Sequence, residues 1–144
     1  MTAEPVSGVI GTMRSMTTEQ AEPSIFTRIV QREIPATIVH ETANVIAFQD
    51  IAPKAPVHLL VVPKTQEYAN VVELAAGNPG LLAEVVDVAN RIAHDPELMT
   101  SSDGEKFPIG QFRLIFNTGE AVGQTVFHVH AHVMAGNLQE GSLA

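Results

Sequence analysis

The 144-residue sequence predicts an α+β domain, and three observations carry that expectation. Five short runs of β-branched and apolar residues are bounded by Pro, Gly, Asn and Asp. One long segment repeats apolar residues at helical spacing, and a short capped stripe precedes the rest. Together they predict an antiparallel sheet of about five strands, one main helix packed on it and a short N-terminal helix.

In chain order, residues 1–23 are rich in Thr, Ser, Glu, Gly and Pro and read as an extension with the composition of a flexible tail. Ser24 then suits the N-cap of a short helix whose stripe is Ile25, Phe26, Ile29 and Val30, ended by Pro35. Residues 37–41 and 44–49 are strand-like runs, and the Glu41-Thr42-Ala43 turn between them predicts a hairpin. Pro53 and Pro56 bracket a rigid loop. The run 57–62 is apolar at every position but His58, which predicts a central strand stopped by Pro63. Residues 71–75 suit a single helical turn. Asn78-Pro79 is a strong helix start, and Leu81, Val85, Val88 and Ile92 follow on one face until His94-Asp95-Pro96. Residues 95–110 read as loop. Two last strands are expected over 111–117 and 127–134, and residues 137–144 form a short tail.

Composition narrows the function. Sixteen acidic residues face eight basic ones, a formal net charge of −8, and no basic cluster exists. Nucleic-acid binding rests on Lys and Arg against phosphates, so a polynucleotide partner is not expected. A small phosphorylated ligand stays open, because histidines and backbone amides hold phosphate without a global positive field. The chain has no cysteine, which excludes disulfides and thiolate-ligated zinc. No stretch has the ~20 consecutive apolar residues of a membrane span, and no secretory signal is evident, so a cytoplasmic location is expected.

The chemistry concentrates in Phe127-His128-Val129-His130-Ala131-His132-Val133-Met134, which holds half of the six histidines. On a strand, alternate residues share a face, so the three imidazoles would stand roughly 6–7 Å apart, with Phe127, Val129, Ala131 and Val133 turned into the core. One half-buried histidine is commonplace; three in a row call for a reason. Zinc is one reading, yet neighbours on a strand usually supply two ligands, and His58 or a carboxylate would have to complete the set. No His-Glu-x-x-His signature is present. Phosphoryl or nucleotidyl transfer is the other, suited to neutral imidazoles with pKa values near ~6.5.

His128-Val129-His130-Ala131-His132-Val133-Met134 resembles the signature of the histidine triad superfamily, histidines alternating with apolar residues. Further segments resemble its Hint branch of histidine triad nucleotide-binding proteins. These run from Ser24-Ile25-Phe26 to Glu33-Ile34-Pro35, from Phe48-Gln49-Asp50-Ile51 through Pro56-Val57-His58, and over Val62-Pro63-Lys64. Phe112-Arg113-Leu114-Ile115-Phe116-Asn117 and Gly123-Gln124-Thr125 complete the set. The resemblance covers roughly residues 24–136.

It implies a HIT-like fold and a nucleotidyl hydrolase without a cofactor. Its expected substrate is a purine nucleoside 5′-phosphoramidate or related nucleoside monophosphate ester, and its expected partner a second copy of the chain. By the resemblance, His130 is the nucleophile on an α-phosphate and forms a nucleotidyl-histidine that water cleaves. His132 contacts the phosphate or leaving group, and His128 and His58 form a supporting hydrogen-bond set. Asn117, Thr125 and amides of the Gly123 loop hold the phosphate. Asp50 takes the ribose hydroxyls, and Phe26, Ile29, Phe48 and Ile51 line the purine slot. Some relatives bind zinc through a Cys-x-x-Cys pair at the first helix. Ser24 and Thr27 stand there in this chain, so no metal is expected. Alternatives are a dinucleoside polyphosphate hydrolase of the same fold and a nucleotide-binding regulatory module with minor catalysis.

Overall fold

The computed structural model describes residues 22–142, so most of the 1–23 extension and the last two residues of the tail lie outside it. Five strands form one antiparallel sheet: β1 (Ile38–Glu41), β2 (Val45–Gln49), β3 (Val57–Pro63), β4 (Arg113–Ile115) and β5 (Ala131–Ala135), in the order β1-β2-β3-β5-β4. All seven residues of β3 are buried, so the expected central strand is central. The predicted hairpin joins β1 to β2, its turn closed by the Thr42 N–H donating to the Val45 carbonyl.

Side-chain alternation divides the core between the two faces of the sheet. Val45, Ala47, Val57, Leu59, Val61, Ala131 and Val133 pack against Val85, Val88 and Ile92 of the main helix. That helix, α3 (Pro79–Ala93), starts where the sequence predicts, with the Asn78 side chain accepting from Leu81 N. A two-turn helix, α2 (Val71–Gly77), precedes it and is longer than the single turn expected. Asn70 caps its start by accepting from Glu73 N.

The opposite face carries Ile46, Phe48, Leu60 and Val62, covered by Phe26 and Ile29 of α1 (Ile25–Val30). With only six residues, α1 is too short to cover the whole face. His58 of β3 and His132 of β5 belong to this same face by alternation, beyond the reach of the short helix. A cavity is the consequence.

Three sequence expectations need correction. Pro35 does not end α1. The helix closes on Arg32 in a left-handed conformation (φ 64°), with Arg32 N and Glu33 N bonded back to the Ile29 and Arg28 carbonyls. The strand expected over 111–117 pairs only over Arg113–Ile115. The strand expected over 127–134 pairs only from Ala131 onward, because β4 is too short to give residues 127–130 a neighbour on that side. Alternation still holds at 128–130, yet Phe127 is half exposed instead of in the core.

Candidate active site

The histidine row sits where irregular chain becomes strand. His128 and His130 lie on the unpaired approach, anchored by Val129 N donating to the Tyr68 carbonyl, and His132 lies in β5. The rings form a continuous stack of edges. His130 is 5.2 Å from His132, His132 is 5.2 Å from His58, and Phe26 meets His130 at 4.9 Å and His128 at 5.5 Å.

Their hydrogen bonds dictate where each proton sits. His128 is fully buried, and its Nε2 lies 2.7 Å from the Pro63 carbonyl, which can only accept. Nε2 therefore carries the proton, and Nδ1 accepts from the Ser24 hydroxyl at 2.6 Å. His130 Nδ1 is 2.8 Å from the His128 carbonyl, so its proton is at Nδ1 and its lone pair at Nε2. His58 Nδ1 accepts from the Lys54 N–H at 2.9 Å, which puts the His58 proton at Nε2. That N–H faces His132 Nδ1 at 2.9 Å, leaving the His132 proton at Nε2. Neighbouring rings thus end in opposite character: a bare nitrogen on His130 and an N–H on His132.

Burial keeps this set neutral. Desolvation pushes His58, His128 and His130 below the usual histidine value. It opposes the Asp50 charge at His58 and the carbonyl bonds at the other two. His132 falls furthest, to about 4, through burial first and then its neighbours His130 and His58. A cluster that would repel itself if charged stays uncharged at neutral pH.

The cavity beside these rings has a volume of about 370 Å³ and is walled mainly by apolar groups. Phe26, Ile29, Phe48, Ile51, Asp50, Thr125, His130 and His132 all line it, so the structure brings most of the expected site residues together. Ile51 stands at the rim, 91% exposed. Asp50 follows β2, with Oδ1 accepting from Ala52 N at 2.8 Å and Oδ2 lying 3.3 Å from His58 Nε2.

Two expected phosphate ligands are placed differently. Asn117 lies beyond the end of β4 and does not line the cavity; continuing the Ile115–His132 register would set it opposite His130. The Gly123 N–H is bonded to the Glu120 carbonyl, and Gln124 N to Gly119, so this turn's amides close on themselves. Gly123 serves the turn through its φ of +96°, which favours glycine. His58 and His128 also do not form one set. They belong to separate networks, one around His132 and one around Ser24.

Sequence reasoning missed the groups that set the tautomers. Pro63 O and Lys54 N are main-chain atoms and leave no trace in residue type. Gly136 supports the second of them from a distance. A Cβ there would meet Pro56 at 2.7 Å, so only glycine lets the 53–56 loop lie where it presents Lys54 N to His58. Asp50, His58 and His132 each present a ligand atom within 4.8 Å of one another, and this trio could hold a divalent ion. Such an ion would have to displace the His58 Nε2 proton that orients His132.

Fold and site define a class: a five-stranded α+β domain whose histidine row opens into an apolar slot. The HIT domain family model matches residues 31–138, and the chain belongs to that family. A purine nucleoside phosphoramidase of Escherichia coli is 37% identical over 116 residues, 81% of this chain and 89% of that protein. An adenylylsulfatase of Arabidopsis thaliana is 32% identical over 119 residues, 83% of this chain and 75% of that protein. A HIT family hydrolase structure from Clostridium thermocellum superposes with a TM-score of 0.71 at 39% identity, over 86% of this chain and 100% of that one.

Proposed function

We propose that this protein is a nucleotidyl hydrolase that cleaves purine nucleoside 5′-phosphoramidates, or related esters of a nucleoside monophosphate, through an intermediate on His130. The observation that carries the reading is the pair of opposed nitrogens, an unprotonated His130 Nε2 beside an N–H at His132 Nε2, on an apolar slot. The similar phosphoramidase and adenylylsulfatase support it. One is named for purine nucleoside phosphoramidates and the other for adenylyl sulfate, and in both a leaving group sits on a nucleoside's phosphorus.

In the first step the His130 Nε2 lone pair bonds to the α-phosphorus. The phosphorus–nitrogen bond to the leaving amine breaks, and the amine keeps that electron pair and takes a proton from solvent. Positive charge on the His130 ring strengthens its Nδ1–H bond to the His128 carbonyl, and His132 Nε2–H donates to the phosphoryl oxygen. Water oxygen then bonds to phosphorus, the phosphorus–Nε2 bond breaks with its pair returning to His130, and the water proton passes to solvent. Asp50 takes the ribose hydroxyls, Thr125 the phosphate, and Phe26, Ile29, Phe48 and Ile51 the purine. The deciding experiment is His130→Ala with adenosine 5′-phosphoramidate, which should show no turnover and no labelled nucleotidyl-protein on quenching. Turnover at the wild-type rate would end the proposal. Running a diadenosine polyphosphate in parallel separates the phosphoramidase from the polyphosphate hydrolase.

The same reading makes the protein a cytoplasmic homodimer joined along β4, the strand at one edge of the sheet. Sedimentation velocity should give twice the chain mass of 15.4 kDa. A monomer at micromolar concentration would reject it.

A further inference from the structure

The geometry points to Ser24 as a positioning residue that holds His130 in its reactive tautomer through His128. The inference rests on the nucleophilic role just proposed for His130, although its main readout needs no turnover.

The carbonyl that keeps the His130 proton on Nδ1 belongs to residue 128, in the stretch that no ladder pairs. The Val129 N–H of the same peptide unit holds it to the Tyr68 carbonyl, and the buried His128 ring supplies the second hold. One ring nitrogen is tied to Pro63 at the end of β3, the other to Ser24 at the start of α1. Pro63 alone ties the ring at one nitrogen. Ser24 closes the second point and, with its single proton, can act toward Nδ1 only as a donor.

Ser24 is itself fastened from three directions. Its Oγ accepts from Thr27 N as the cap of α1, and its main-chain N–H donates to Gln66 Oε1 at 2.8 Å. Thr27 Oγ1 donates to that same oxygen at 2.6 Å, and Gln66 Nε2 donates to the Glu22 carbonyl. Gln66 thus clamps the chain entering α1 to the segment leaving β3. One hydroxyl ties the wall that carries Phe26 and Ile29 to the ring beneath the nucleophile. Without it, His128 Nδ1 is a buried acceptor with no donor, and the carbonyl above it keeps only the Val129–Tyr68 hold. His130 is then free to take the Nε2–H form, in which the lone pair points away from the cavity.

Capping and donation are separable by substitution. Glycine at an N-cap retains most of the capping effect, whereas alanine does not, and neither has a hydroxyl. Threonine keeps both functions. The experiment compares Ser24→Gly, Ser24→Ala and Ser24→Thr in the full chain. It uses ring nitrogen-15 shifts to read the His128 and His130 tautomers, and kcat and KM on adenosine 5′-phosphoramidate. Expected for Gly and Ala alike is a population of His130 protonated at Nε2. The kcat should fall about tenfold or more, the rate equivalent of one buried hydrogen bond, with KM changed far less. Thr should restore both.

If Ser24→Gly keeps the wild-type tautomer at His130, Ser24 is only a helix cap and the inference falls. If the tautomer moves while no variant and no wild type turns over substrate, the positioning role stands and the proposed activity fails instead. Ser24→Asp guards against loss of folding, because aspartate caps well but its carboxylate can only accept. There His128 should show protons on both nitrogens, and a His128 that stays singly protonated there overturns the inference.

Discussion

Acid should destabilise this fold over a defined window, and His132 allows the size to be worked out. Folding takes its imidazole from 6.5 to about 4, through burial and then through His130 and His58 beside it. Between those values the unfolded chain holds a proton at residue 132 that the folded chain refuses. Unfolding takes up that proton, so falling pH favours the unfolded state. The stability is complete above the unfolded value, declines as pH falls through the window and levels off below about 4. At about 1.36 kcal/mol per unit, two and a half units would be worth about 3.4 kcal/mol for a sealed ring. His132 lines an open cavity, and solvent screening reduces the expectation to about 1–2 kcal/mol. The assay is urea unfolding from about pH 7.5 to about pH 4.5 of the wild type and His132→Gln, whose side chain does not titrate. His58, His128 and His130 are pushed in the same direction and act in both proteins, so the difference isolates residue 132. The wild type should lose about 1–2 kcal/mol more than the variant on acidification. Equal losses would show that His132 keeps an ordinary pKa in the folded protein and refute the reasoning.

Other outcomes follow from the same contacts. His58→Ala removes the donor that holds the His132 proton at Nε2, and kcat/KM should fall about 10- to 100-fold, the range for a buried hydrogen bond of about 1–3 kcal/mol. His58→Gln, which can donate to the same nitrogen, should recover much of the loss; identical kinetics for both variants would count against the tautomer relay. Asp50→Asn should raise KM about tenfold for a ribonucleoside substrate, reflecting the weaker acceptor. It should change little for the 2′,3′-dideoxy analogue, and an equal effect on both would place Asp50 away from the ribose.

Much of the fold is legible in one dimension because it depends on local rules. The start of α3 follows from Asn78 and Pro79, and the centrality of β3 from a run apolar on both faces. The edges are less legible. Residues 127–130 keep the extended alternation that puts His128 and His130 on one side and Val129 on the other, but pairing needs a neighbour, and β4 spans only three residues. Likewise Pro35 was a reasonable terminator for α1, yet Arg32 reaches a left-handed turn first, its guanidinium donating to the Val30 carbonyl and pairing with Glu41 at 2.7 Å.

For the site, the residue types by themselves determined a row of imidazoles on one face, and the resemblance that named the family supplied the expectation of an acid and an apolar slot beside it. What they could not determine is which nitrogen of each ring carries the proton. That is decided by Pro63 O, Lys54 N, His128 O and the Ser24 hydroxyl, three of them main-chain atoms common to almost any sequence. Imidazole tautomers differ by little in water, so a single buried acceptor or donor settles each one. Tertiary structure makes those placements, and with them it gives three similar histidines different characters: a ring tied at both nitrogens at 128, a bare Nε2 at 130 and an Nε2–H at 132.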